Sequence, residues 1–172
     1  SPIRLTGLTF STFGPARPTR RRKRLRKTLE KTPMTTPDFS AHIQVCPSFN
    51  DTDPMGIVWH GNYAKFFERV REVLFRRFDY SYDQMARSGY AYPIIEMSVK
   101  YRHPWRLEEP ATVSVTLTEY ENRLVTDYEV RALDGTLKTT ARIVQLAIDL
   151  KTKEGLLQCP PVLFERLGVK PS

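Results

Sequence analysis

Asn62-Tyr63-Ala64-Lys65-Phe66-Phe67-Glu68-Arg69-Val70-Arg71-Glu72-Val73-Leu74-Phe75-Arg76-Arg77-Phe78 is the most periodic stretch of the chain, and the rest is read around it. Tyr63, Phe66, Phe67, Val70, Leu74 and Phe78 follow i, i+3, i+4, i+7 spacing, which places them on one broad apolar stripe of a helix. Lys65, Arg69, Arg71, Glu72, Arg76 and Arg77 are expected on the remaining surface, and Asn62 stands where an N-cap belongs. A shorter helix is expected over about 82–88, stopped at Gly89.

Outward from the helix the texture changes to alternation. His42-Ile43-Gln44-Val45-Cys46 reads as a strand, and Pro47 to Gly61 is rich in turn formers. Beyond residue 90, Ile95, Met97, Val99 and Tyr101 alternate, as do Val113, Val115 and Leu117. Leu124, Tyr128 and Val130 lie on a run that ends at the hairpin signal Asp134-Gly135, and Glu121-Asn122 reads as the tip of the preceding hairpin. Val144, Leu146, Ile148 and Leu150 form a last run. One strand, one long helix and four mostly antiparallel strands predict an α+β domain with a curved sheet covering a helix.

Composition narrows the classes. Of 172 residues, 40% are hydrophobic, enough for a packed core, and no apolar run approaches the roughly 20 residues needed to cross a bilayer. The formal charge of +8 is unevenly spread: residues 1–33 hold ten Lys or Arg and one acid, leaving residues 34–172 at −1. That reading expects a basic, disordered leader or extension over 1–33 and a folded domain over 34–172, with no nucleic-acid role for the domain. The leader is read as a transit peptide or as sequence upstream of a start at Met34. Cys46 and Cys159 make neither a disulfide framework nor a metal-ligand pair and fit a reducing, cytoplasmic interior. There is no glycine-rich phosphate loop, no HExxH and no GxSxG.

Chemistry concentrates in Asp51-Thr52-Asp53-Pro54-Met55-Gly56-Ile57-Val58-Trp59-His60-Gly61-Asn62-Tyr63, directly ahead of the helix. N–H groups at a helix start are unpaired and carry the positive end of the dipole, so they suit an oxyanion formed when a carbonyl is attacked. Gly56 and Gly61 would let backbone approach a ligand, and a fixed carboxylate nearby would attack the carbonyl or activate a water. Taken alone, Asp53 before Pro54 would be a turn cap, Asp51 an Asx-turn or supporting acceptor, and Asn62 a helix cap. His42 and His103 have no partner pattern and read as structural. No third ligand converges with the carboxylates and His60, so no metal or cofactor is expected.

These residues resemble a known family. Asp51-x-Asp53-Pro-x-Gly56-Ile-Val58-Trp59-His60-x-Asn62-Tyr63 with its aromatic-rich helix looks like the signature of hotdog-fold acyl-CoA thioesterases. It is similar both to 4-hydroxybenzoyl-CoA thioesterases and to the Tol-Pal-associated branch, over about His42 to Arg166. The resemblance implies a hotdog fold, a homodimer or homotetramer with sites at the subunit interface, and hydrolysis of an acyl-CoA thioester to a carboxylic acid and free CoA. It gives Asp53 the role of general base or nucleophile, His60 a catalytic role, and the N–H at His60 that of oxyanion donor. Gly56, Val58, Trp59, Gly61, Asn62 and Tyr63 would surround the substrate. Arg123 at a hairpin tip, with Lys138 or Arg142, would meet the CoA phosphates. One departure is Phe49, where the Tol-Pal branch has a tyrosine. The rival readings are an acyl-carrier-protein thioesterase and a catalytically idle hotdog scaffold or ligand binder.

Overall fold

The computed structural model describes residues 38–171, so the expectation for the basic segment 1–33 lies outside the described residues. The chain runs through β1 (Ser40–Val45), α1 (Tyr63–Arg77), α2 (Tyr82–Arg87), β2 (Tyr90–Ala91) and β3 (Ile94–Tyr101). It continues through β4 (Ala111–Glu119), β5 (Leu124–Ala132), β6 (Leu137–Gln145), β7 (Ile148–Asp149) and α3 (Pro161–Leu167). Five strands form one sheet in the order β1-β4-β5-β6-β3, every neighbouring pair antiparallel. β2 and β7 make a separate small ribbon. Among the described residues no helix is long and apolar enough to cross a membrane.

Strand alternation sets which face is inside. On β4, Ala111, Val113, Val115 and Leu117 are buried, while the residues between them face outward. α1 packs on that inner face over β1 and β4, and Phe67 reaches Tyr128 of β5 with ring centroids 4.8 Å apart. Phe66 meets Trp105 at 5.2 Å, and both are essentially buried. Each such side chain contributes about 1.5–3 kcal/mol by leaving water.

Four details differ from expectation. Asn62 is not a side-chain cap: a 3-10 turn, His60–Asn62, leads into α1, and the Asn62 amide donates instead to the Asp51 carbonyl at 3.0 Å. Arg71, expected at the surface, is buried on the apolar stripe, where it pairs with Glu68 and donates from Nε to the Tyr82 hydroxyl at 3.2 Å. Burial opposes its charge, but the facing Tyr128, Tyr82 and Glu68 oxygens outweigh that and hold the guanidinium protonated. The run Val144 to Leu150 is not one strand; β6 starts at Leu137, ends at Gln145, and the chain turns before β7. Finally, β1 ends at Val45, which leaves Cys46 outside it.

β3 is the strand whose sequence and surroundings disagree most. Its alternation is present, with a bulge at Ile95, yet Ile95 is 58% exposed, Met97 46% and Tyr101 51%. Among the described residues the strand pairs only with β6, at the end of the sheet farthest from β1 and three strands beyond the β4 contacts of α1. Among the described residues, Tyr63 packs edge-on against Tyr101 and Val99 meets the core, while Ile95 and Met97 stay about half exposed.

Candidate active site

The loop ahead of α1 is built from turn hydrogen bonds. Asp53 N–H donates to the Ile57 carbonyl at 2.8 Å and Gly56 N–H to the Asp53 carbonyl at 2.9 Å, closing a tight turn. Gly56 sits at φ +70° with open space where a Cβ would stand, so its glycine serves backbone conformation, not close approach. At Gly61 the reason is different: a Cβ there would lie 2.2 Å from the Trp59 ring, which folds over it. The turn is stapled to a second segment by Val58 N–H on the Trp105 carbonyl at 2.7 Å and Leu107 N–H on the Gly56 carbonyl at 3.0 Å.

Asp51 organises this loop from below. Its carboxylate is nearly buried, pairs with Lys65 of α1 and accepts from the Ser48 N–H and hydroxyl, each at 2.8 Å. Its carbonyl accepts from Trp59 N–H at 2.9 Å. Desolvation pushes the Asp51 carboxyl up, but the bonds from Lys65 and Ser48 together outweigh it and hold it below the usual carboxylate range. A carboxyl lowered on folding gives stability that is present above its unfolded pKa, about 4, and lost as pH falls through the folded value. The melting temperature of Asp51→Asn should therefore trail the wild type most at pH 6–7, and the gap should narrow toward pH 3. A gap constant across that range would refute the linkage.

Asp53 itself is half-buried. One carboxylate oxygen, Oδ1, accepts from Met55 N–H at 2.8 Å and Ile57 N–H at 3.4 Å, the turn-capping role available to any Asp before Pro. The other oxygen, Oδ2, has no hydrogen-bond partner among the described residues. It is the one left for chemistry. Asp53 and His60 line the same cleft of about 380 Å³, together with Val58, Tyr63, Tyr101 and Trp105. The N–H groups of His60 and Gly61 open the 3-10 turn and have no acceptor among the described residues. An orphan donor at a helix entry and a spare carboxylate oxygen on residues that line one cleft are the two halves that acyl transfer needs.

The expected residues are divided by the structure. Asp53, Val58, His60 and Tyr63 line the cleft, whereas Gly56, Trp59, Gly61 and Asn62 shape the loop behind it. Tyr63 is also core, its ring edge-on to Trp105 at 5.9 Å, and burial pushes its hydroxyl pKa up. Arg123 is not brought to the cleft. It lies at the β5 end where Leu124 faces Gln145 of β6, while Tyr101 at the cleft faces Thr139, and it pairs with Glu119 at 3.0 Å. Lys138 and Arg142 are likewise neutralised, by Glu109 at 2.6 Å and Asp127 at 2.7 Å. Phe49 is 80% exposed and does not line the cleft.

The sequence assigns no site role to the lining residues Tyr101, Arg102, His103, Pro104 and Trp105. Alternation marks Tyr101 only as a strand position, and His103, expected to be structural, lines the cleft beside it. Both come from the end of β3 and the segment after it, about forty residues from the motif. The bridge between Ile57 and Arg106, with the Val58–Trp105 and Leu107–Gly56 hydrogen bonds, brings that segment over the loop, and no local spacing encodes it.

Residues 47–167 match the thioesterase-like superfamily. The chain is 28% identical to the acyl-CoA thioester hydrolase YbgC of Escherichia coli, over 61% of this chain and 80% of that protein. Among solved structures it is similar to a DHNA-CoA thioesterase from Staphylococcus aureus, with TM-score 0.63 and 27% identity over 69% of this chain and 80% of that one. A 1,4-dihydroxy-2-naphthoyl-CoA thioesterase from Synechocystis shares the fold, with TM-score 0.67 at 18% identity, covering 75% of this chain and 96% of that one. The sheet with its central helix is the hotdog fold of these neighbours.

Proposed function

This chain belongs to the thioesterase-like superfamily, a family of thioester hydrolases, and from that premise we propose that it hydrolyses acyl-CoA at the cleft between Asp53 and the His60 turn. The observation that carries the reading is the spare Oδ2 of Asp53 in one cleft with a turn whose first N–H groups are unpaired. A thioester carbonyl oxygen takes the His60 N–H, so negative charge developing there meets a donor already in place. The carbonyl carbon then faces the Asp53 carboxylate.

From that pose the carboxylate acts in one of two ways. It adds to the carbonyl carbon and expels the CoA thiolate, leaving an acyl anhydride that water cleaves. Alternatively it takes a proton from a water that adds directly. The products are the same: a carboxylic acid and free CoA. The His60 imidazole, packed against Trp59 with ring centroids 4.9 Å apart, stands where it can orient the substrate or the leaving sulfur.

The same reading supplies what covers β3. A strand with one unpaired edge and a row of exposed Ile95, Met97 and Tyr101 is an aggregation hazard unless something pairs with it. A second copy of the chain meeting it by twofold symmetry buries both rows at once. Because Tyr101 lines the cleft, that interface adjoins the site.

Release of free thiol from a panel of aliphatic and aromatic acyl-CoAs, compared with the matching acyl-carrier proteins, tests the function. Saturable hydrolysis of acyl-CoA is the expected result. Turnover far higher on the carrier protein would move the substrate to that class, and an inert panel from a correctly assembled protein would leave a ligand-binding scaffold.

A further inference from the structure

We infer that Tyr101 is a positioning residue for the oxyanion turn: from the end of β3, its hydroxyl donates to the His60 carbonyl and fixes the residue whose N–H receives the substrate oxygen. The inference rests on the hydrolase reading of the cleft and adds to it a part that the motif does not contain.

The geometry runs through both peptides that flank the His60 Cα. On one side, the Trp59 carbonyl accepts the Asn62 N–H at 2.8 Å, which holds the Trp59–His60 peptide and hence the plane of the His60 N–H. On the other, the His60 carbonyl accepts the Tyr101 hydroxyl at 3.2 Å, which fixes the rotation that follows the Cα. With both peptide planes held, the N–H keeps one direction without help from the substrate. Donors that need no reorganisation are those that stabilise a transition state.

The Tyr101 ring is itself held. It stands edge-on to Tyr63 with centroids 5.0 Å apart, and Tyr63 is buried at the start of α1. Burial pushes the Tyr101 phenol pKa above its ordinary value, so the hydroxyl keeps its proton to donate at neutral pH. Tyr101 closes β3, and the strand carries the half-exposed row that includes Ile95 and Met97. Ordering of β3 therefore bears on the oxyanion turn through this hydroxyl, 41 residues away in sequence.

Tyr101→Phe tests this, since it keeps the ring and its contact with Tyr63 and removes only the hydroxyl. The expected result is a kcat lower by about fivefold to twentyfold, less than the loss of an oxyanion donor itself, with KM for acyl-CoA within about twofold. A second readout needs no activity: the backbone 15N heteronuclear NOE of His60 and Gly61 should fall in the variant while values along β3 stay unchanged. Unchanged kcat with unchanged NOE would overturn the inference, as would a rise in KM alone. If the wild type hydrolyses no thioester, the hydrolase reading fails, and the NOE comparison still decides whether the hydroxyl holds the turn.

Discussion

Asp53→Asn lowers kcat for acyl-CoA hydrolysis by about a thousandfold or more, since an amide is neither a nucleophile for a thioester nor a base for water. The fold survives, for a reason visible in the turn. Asn retains an Oδ1 that accepts from the Met55 N–H, the 2.8 Å bond that caps the loop, so only the chemistry of the spare oxygen is removed. Thermal melting of the variant should match the wild type closely. His60→Ala is the comparison: it deletes an imidazole but leaves the backbone donor, and should cost about tenfold, in the range of a single side chain's assistance. Activity of Asp53→Asn near that of the wild type would refute the assignment. A His60→Ala loss as large as the Asp53→Asn loss would reverse the ranking of the two residues.

With the proposed twofold pairing of β3, the paired substitution Ile95→Lys and Met97→Lys is expected to turn a dimer into a monomer in sedimentation velocity at micromolar concentration. The argument is one of area and charge. Ile95 and Met97 are 58% and 46% exposed in the single chain, and each contributes about 1.5–3 kcal/mol when fully buried. A twofold axis places every substitution in the interface twice, and an ammonium buried without a partner adds a penalty of its own. Together these raise the dissociation constant by about a thousandfold or more. Because Tyr101 of the same strand lines the cleft, hydrolysis should fall along with assembly. A wild type that sediments as a monomer, or a variant that remains dimeric, would mean that β3 is covered by something other than a second copy.

Much of this architecture is readable because its determinants are periodic. The stripe from Tyr63 to Leu74 fixes α1, the alternation of Val113, Val115 and Leu117 fixes β4, and Asp134-Gly135 ends β5 in a turn. Arg71 shows where periodicity misleads. Its position on the helical wheel is inward; the i,i+3 partner Glu68 is readable from spacing, but the Tyr82 and Tyr128 oxygens that help make a buried cation tolerable there come from other elements. The true span of β6 is hidden from apolar alternation because Thr139 and Gln145, both buried, carry no apolar signal.

The site divides along the same line. Asp53, His60 and Tyr63 are legible because one short motif contains them, and the loop hydrogen bonds hold that motif in one place. Tyr101 and His103 are not, because they reach the cleft through β3 pairing with β6 and through the bridge from Ile57 to Arg106. Arg123 looked available as a cation at a hairpin tip. Its neighbour Glu119 takes it, and sheet register puts it at the far end of the strand from the cleft.

An infrared difference spectrum of 13C=O-labelled benzoyl-CoA bound to Asp53→Asn shows whether the thioester oxygen meets the His60 turn, because the variant holds the thioester without cleaving it. With its oxygen on the His60 N–H, the carbonyl stretch should lie well below its frequency in water, and Tyr101→Phe in the same background should move it part of the way back. A stretch unchanged from aqueous benzoyl-CoA at saturating protein would contradict the account, since the carbonyl would then not be meeting the turn.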